Sequence, residues 1–180
     1  MSTGRIAVRY ATPILELAVE KNVLDNVKAD MESFISVCEE NKDFSLMLKS
    51  PIIPHLKKAE ILKKIFSGKV NDLTLQTFEL LTRKSRENLL EAIAEEFLHL
   101  YNIKKGLAEV SVTTSIELDA DMRKAFEKLA KEISGKEPLL TEKVDPEIVG
   151  GYILKLGDRQ LDDSVSGQLK ELKLKFSKNK

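Results

Sequence analysis

Residues 102–113 read Asn102-Ile103-Lys104-Lys105-Gly106-Leu107-Ala108-Glu109-Val110-Ser111-Val112-Thr113, and the two ends of that stretch obey different periods. Up to about Lys105 nearly every segment of the chain has apolar residues returning at the helical repeat. From Glu109 polar and apolar residues alternate, which is the period of a half-buried strand. The switch places a domain boundary near Lys104 to Gly106, giving a helical domain over residues 1–105 and a second domain over 106–180.

Before the switch, the pattern predicts six helices, roughly Arg5 to Glu20, Val23 to Glu40, Phe44 to Lys49, His55 to Phe66, Leu73 to Lys84 and Asn88 to Lys105. Asn41 to Asp43, Ser50 with Pro51 and Pro54, Gly68 and Ser85 mark the breaks, each favouring a turn or cap over continued helix. Short joints of this kind connect antiparallel neighbours in a bundle.

After the switch, the strand at Glu109 to Thr113 is succeeded by a helix from about Ala120 to Ile133. A second strand, Leu139 to Val144, leads through Asp145-Pro146 into a third, Tyr152 to Leu156. The pattern is that of a short three-stranded sheet with one crossover helix. Ser164 is placed to cap a last helix in which Val165, Leu169, Leu172 and Phe176 share one face. The fold class is therefore mainly α: a six-helix bundle and then a small α+β domain with a short sheet.

Composition narrows the function. With 42% hydrophobic side chains over 180 residues the chain has enough apolar material to fold. Its 29 basic and 29 acidic side chains cancel, so no global field attracts nucleic acid or anionic lipid. Cys38 is the only cysteine, which excludes a disulfide within the chain and suits a reducing compartment. Arg9, Glu16, Glu20 and Lys21 interrupt the apolar residues near the N-terminus, so no signal peptide or membrane span is read there.

Catalytic equipment is sparse. His55 and His99 are the only histidines, and with no His-x-x-x-His, no cysteine pair and no histidine among clustered carboxylates, neither a metal site nor a cofactor is expected. Cys38 sits in a helix as a small hydrophobe. Gly135-Lys136 lacks a phosphate loop's upstream glycine, which is Ala130 here, and has Glu137 after it instead of Ser or Thr. Gly68-Lys69 fails in the same way at Lys63 and Val70. Lys57, Lys58, Lys63 and Lys64 read as a broad solvated rim; no interleaved aromatics support a nucleic-acid face.

The surplus lies in apolar surface. In the first helix Ala7, Ala11, Leu15 and Ala18 make a row that can pack inward, yet Ile6, Tyr10, Pro13 and Leu17 make a second row at i, i+4, i+7 and i+11. The fifth helix repeats the excess with Leu73, Thr77 and Leu80. Either these helices are buried on all sides, or their second rows line an apolar groove for an amphipathic helix of another chain. Pro13 costs a helix interior about 3 kcal/mol. It reads either as the first turn of a helix capped by Thr12, or as a kink facing the groove.

Arg9-Tyr10-Ala11 with Leu15-Glu16-Leu17-Ala18, then Leu48, Pro51, Ile52 and Lys58, then Phe78, Leu80, Leu81 and Arg86 recur in the order of a known family. So does Val144-Asp145-Pro146-Glu147-Ile148-Val149-Gly150-Gly151-Tyr152, with Gly157-Asp158 and Leu161-Asp162-Asp163-Ser164-Val165 after it. Over essentially its whole length the chain resembles the delta subunit of the F-type ATP synthase, the family of the mitochondrial oligomycin-sensitivity-conferring protein. Two positions depart from it: Pro13 replaces a small helix former, and Asp163 stands where the family has glycine.

The resemblance implies a stator subunit without catalytic residues, in one copy per complex. Its bundle would bind the N-terminal helix of an alpha subunit, and its C-terminal domain would receive the C-terminal ends of the b subunits. It would be held peripherally on the cytoplasmic side of a bacterial inner membrane only through that complex. Ile6, Tyr10, Pro13, Leu17, Leu73, Thr77 and Leu80 are the expected groove residues. Asp145, Gly150, Gly151, Gly157, Asp158, Asp162 and Ser164 are expected to shape the turns of the C-terminal domain. The competing classes are a helical regulatory or nucleic-acid-binding adaptor and a small enzyme built on scattered carboxylates.

Overall fold

The computed structural model describes residues 3–157 and 159–178. The chain divides into two compact units, Met1–Tyr101 and Asn102–Lys180. The first contains α1 (Thr3–Glu20), α2 (Leu24–Glu40), α3 (Lys42–Lys49), α4 (His55–Phe66), α5 (Asp72–Arg83), a 3-10 turn at Glu87–Leu89 and most of α6 (Leu90–Lys105). The six expected helices are present in order.

Helix α1 buries Ala7, Ala11, Ile14, Leu15 and Ala18, the inward row read from the sequence with Ile14 added. Three alanines in that row let the helix backbone approach its neighbours closely. The core it lies on is centred on Phe34 of α2, whose ring centroid is 6.2 Å from Phe44, 5.6 Å from Phe66 and 5.0 Å from Phe78. One aromatic each from α2, α3, α4 and α5 thus meets at a point, and such pairs add stabilisation beyond their buried area.

Helix ends are closed by local hydrogen bonds. At the end of α1, Asn22 at φ 55° donates its N–H to Val19 O and Val23 donates to Ala18 O, the paired bonds of a Schellman motif. Helix α5 starts on two acceptors: Asn71 Oδ1 takes the Leu73 N–H at 3.0 Å, and Asp30 Oδ2 of α2 takes the Asn71 N–H at 2.8 Å and the Thr74 hydroxyl at 2.7 Å. The buried Asp30 carboxylate therefore ties α2 to the positive end of α5.

Two readings need correction. Thr12 is no helix cap: α1 runs through it, and its hydroxyl donates to Val8 O at 2.9 Å, so Pro13 stands inside the helix. Pro13 is exposed, as is Arg9, whose carbonyl loses its usual partner to the proline. Lys58, read as part of a solvated rim, is buried. Its ammonium donates to Leu48 O at 2.9 Å, Ser50 O at 2.7 Å and Glu87 Oε1 at 2.8 Å. Only Lys57, Lys63 and Lys64 remain of the basic rim.

Cys38 lies in the same core, and burial, aided by Glu91 and Glu39 against the opposing Lys49, pushes its thiol up to about 11. The thiolate is the reacting species, so near pH 8 the native protein holds about a hundredfold less of it than an ordinary cysteine would. Labelling by a disulfide reagent is expected to be at least that much slower in native buffer than in denaturant. Equal rates in the two would show the thiol to be accessible.

The second unit contains β1 (Leu107–Thr114), α7 (Ala120–Ser134), β2 (Glu137–Val144), a 3-10 turn at Pro146–Ile148, β3 (Tyr152–Leu156), β4 (Arg159–Asp162) and α8 (Val165–Lys178). The strand order is β2-β1-β3-β4; β1 and β2 are parallel across α7, and the other pairs are antiparallel. The sheet thus has a fourth strand that the three-strand reading lacks. Arg159-Gln160-Leu161-Asp162 is short, exposed throughout, and a strand only because it pairs with β3. Phe126, Leu129 and Ala130 of α7 cover Val110, Val112 and Leu154, and Phe126 meets Tyr152 edge-on at 5.0 Å.

Candidate partner-binding surfaces

At 100° per residue, Ile6, Tyr10, Pro13 and Leu17 occupy one flank of α1 beside its buried row. Ile6 and Tyr10 are half-buried, while Pro13 and Leu17 are exposed, Leu17 to 42%. Leu80 of α5 is 51% exposed. Leu73 and Thr77, on the same α5 row, are core residues instead, and the Thr77 hydroxyl is spent on Leu73 O at 2.8 Å. The α5 row therefore runs from the interior at Leu73 to the surface at Leu80. Of the seven expected groove residues, five present side chains a partner could touch, and Leu73 and Thr77 are buried.

Arg86 is the residue that joins the two helices, and sequence reasoning did not place it at this site. Ser85, at φ 54°, donates its N–H to Thr82 O, and Arg86 donates to Leu81 O, closing α5 with a second Schellman motif. From that fixed position the guanidinium donates to the Tyr10 hydroxyl at 2.8 Å and lies 5.6 Å from the ring centroid. Both contacts fix Tyr10 with its polar tip held and part of its ring at the surface. The signal available in the sequence was the Lys84-Ser85-Arg86 turn after the α5 pattern.

In the second unit, five of the expected turn residues, Asp145, Gly150, Gly151, Asp162 and Ser164, meet at one end of the sheet, and Gly157 lies in the β3–β4 turn at the other. Asp145 donates its N–H to Thr114 O and accepts the Glu147 N–H on Oδ1 at 3.0 Å, starting the 3-10 turn. Gly150 O accepts the Val165 N–H. Gly151, at φ +77°, passes so close to the 163–164 backbone that a Cβ would lie 2.2 Å from Asp163 O, so only glycine fits. Gly157 has φ +55° but open space around it. Asp158 lies outside the described residues.

Asp162 and Ser164 form the α8 cap. Ser164 Oγ donates to Asp162 Oδ1 at 2.5 Å and accepts the Gly167 N–H at 3.0 Å, and the Ser164 N–H reaches the same carboxylate oxygen. These bonds to the charged form hold the Asp162 carboxyl below its usual range. Beyond the cap, Val165, Leu169 and Leu172 of α8 are 41%, 53% and 48% exposed, so the helix shows an apolar row to the outside. Phe176, assigned to the same row, has a side chain outside the described set.

Among the described residues no group of three or more His, Cys, Asp or Glu side chains is placed to hold a metal ion, and no helix is long and apolar enough to cross a membrane.

Residues 6–176 match the model of the family described as ATP synthase delta (OSCP) subunit. The ATP synthase subunit delta of Cytophaga hutchinsonii is 39% identical over 177 residues, covering 98% of this chain and 97% of that protein. The ATP synthase subunit delta of Amoebophilus asiaticus is 37% identical, covering 98% and 96%. A chain in the cryo-EM structure of the Toxoplasma gondii mitochondrial ATP synthase hexamer has the same fold, with a TM-score of 0.78 over 94% of this chain and 96% of that one at 22% identity. With both units included in the match and about two residues in five identical to a relative, the chain belongs to the ATP synthase delta (OSCP) subunit family.

Proposed function

We propose that the chain is the delta-type stator subunit of an F-type ATP synthase, a non-catalytic part of the peripheral stalk. The observation that carries this is the family match across residues 6–176, which takes in both units. In that role the protein resists rotor torque and links the alpha/beta head to the stalk, at the membrane only through the complex and on its cytoplasmic side. One copy serves each complex. The helical unit and the α+β unit divide the work as two domains, the first on the head and the second on the b subunits.

The helical unit receives the N-terminal helix of an alpha subunit along the flank of α1 that carries Ile6, Tyr10, Pro13 and Leu17, with Leu80 of α5 beside it. Exposed apolar side chains on two helices of one bundle are what a helix-in-groove partner needs. Burial of a few hundred Å² of apolar surface at about 25 cal/mol per Å² supplies a gross driving force large enough to survive the cost of association. An adaptor reading its partner through a basic face is less well supported, because Lys58 is withdrawn into the core.

The test is titration of the full chain with a peptide copying the N-terminal helix of the alpha subunit from the same organism. Saturable binding is expected, weakened at least about tenfold by Tyr10→Asp, or about 1.4 kcal/mol. Leu80→Asp is expected to act in the same direction, with the helical circular dichroism of both variants unchanged. Affinities equal to the parent's in both variants would remove the α1/α5 surface from the reading.

A further inference from the structure

The Arg86 guanidinium, bonded to the Tyr10 hydroxyl at 2.8 Å, joins the N-terminal half of α1 to the C-terminal end of α5. Arg5 and Arg9 stand on the first of these, Arg83 and Lys84 on or at the end of the second, and all five cations are exposed. Residues 3–13 and 80–86, which supply this end of the surface, contain no Asp or Glu.

The acidic residues that come next along the chain are directed elsewhere. Glu87 is buried and paired with Lys58 at 2.8 Å. Glu79 lies 3.9 Å from Lys63 of α4, and it leaves α5 about 100° round from Leu80. Glu16 and Glu20 leave α1 about 9 Å and about 15 Å beyond Tyr10 along the axis, each about 80–120° round from it.

Among the described residues Arg86 is in ion-pair contact with no carboxylate, and its contacts are the hydroxyl and ring of Tyr10. Tyr10 takes one N–H of a planar fork that carries several, so the others are unspent. Water can cover them in the free chain. A helix laid over Tyr10 and Leu80 displaces water from this edge, and a guanidinium covered without an acceptor is costly.

We infer that Arg86 is the specificity-determining residue of the α1/α5 surface, its guanidinium pairing with an Asp or Glu of the guest helix placed beside the apolar side chain that lies on Tyr10. A carboxylate matches the fork edge to edge, and because Tyr10 already holds the fork, less side-chain freedom is lost on pairing. Arg9, Arg83 and Lys84 add a field of the same sign, which speeds the approach of an acidic segment and disfavours a basic one. This assignment rests on the proposed seating of the alpha-subunit helix on α1 and α5, and it names the chemistry that helix must carry.

The experiment titrates the full chain with the peptide copying the N-terminal helix of the alpha subunit, and with versions in which each Asp or Glu is changed in turn to its amide. Arg86→Gln is expected to weaken the unaltered peptide at least about fivefold, and still at least about threefold in a Tyr10→Phe background. One amide peptide is expected to show the same loss against the parent chain and no further loss against Arg86→Gln, which identifies the paired carboxylate. Arg86→Lys, with the charge kept and the fork removed, is expected to fall between the two. Added salt narrows the gap between parent and Arg86→Gln. Arg86 is exposed, so circular dichroism stays at the parent value.

If the loss caused by Arg86→Gln vanishes in the Tyr10→Phe background, Arg86 acts only through Tyr10 and the carboxylate pairing is overturned. The pairing also falls if every amide peptide loses as much on Arg86→Gln as the unaltered one does. If Tyr10→Asp and Leu80→Asp weaken the peptide while Arg86→Gln does not, the pairing falls and the seating of the guest survives. Full affinity in all three variants removes the seating and the pairing together.

Discussion

Lys58→Ala is expected to cost the helical unit about 3–5 kcal/mol, because it leaves the Glu87 charge buried without a partner. All three ammonium hydrogens of Lys58 are used: two on the Leu48 and Ser50 carbonyls at the end of α3, and one on Glu87 across the bundle. The Lys58 and Glu87 side chains are only 3% and 9% exposed, and Glu87 Oε2 has no other partner among the described residues. Truncation therefore strands two carbonyls and one carboxylate at once.

A paired apolar replacement, Lys58→Met with Glu87→Leu, removes both charges together and is expected to recover most of the loss. Urea titration monitored on the buried Val27 and Leu81 methyl signals isolates this unit from the other. A loss under about 1 kcal/mol for Lys58→Ala would mean that the pair is solvated after all.

Gly151→Ala should damage the second unit by about 2–5 kcal/mol. Two costs add: an L side chain at φ +77°, and a Cβ that would lie 2.2 Å from Asp163 O and 3.0 Å from Ser164 Cα. Both obstacles are backbone, so no rotamer change relieves them. The β4–α8 segment must move away from β3 and carry the α8 cap with it. Gly157→Ala is the matched control. It too has a positive φ but meets nothing within 4 Å, so its cost is the backbone strain alone, about 1–2 kcal/mol. Hydrogen exchange at Val112 and Leu154 measures both, and equal protection in the two variants would show that the close approach has no energetic weight.

The second unit is small, its buried apolar side chains among the described residues being Val110, Val112, Ala130, Ile148 and Leu154, so a loss of this size is a large share of what it has.

Helix number, order and inward faces were legible in the chain because they depend on local periodicity. Ala7, Ala11, Leu15 and Ala18 repeat on one side of a helix, and that side is buried. Turn chemistry was legible for the same reason: Ser164 reaches the Gly167 N–H three residues on. The flank of α1 carrying Ile6, Tyr10, Pro13 and Leu17 was visible as a surplus, and those four side chains do reach the surface or its edge.

Apart from Thr12, whose hydroxyl turns back to Val8 O within its own helix, what misled sequence reading was position relative to parts of the fold distant in the chain. Leu73 and Thr77 looked like neighbours of Leu80 on one row, but the buried arc of α5, which holds Leu73, Thr74, Thr77, Phe78, Leu81 and Thr82, ends just short of Leu80. Polar β4 is a strand only through β3.

By itself, then, the amino-acid order determined those features that depend on spacing within about four residues: which segments are helices, where they stop, and which stripe of each is apolar. Tertiary structure decided which charges are inside and which apolar side chains are left over. Lys58 is the plainest case, since nothing in Lys57-Lys58-Ala59-Glu60 separates it from its neighbour. It is buried because Glu87, far along the chain, and two carbonyls at the end of α3 converge on its ammonium, and only such convergence offsets the cost of taking a charge out of water.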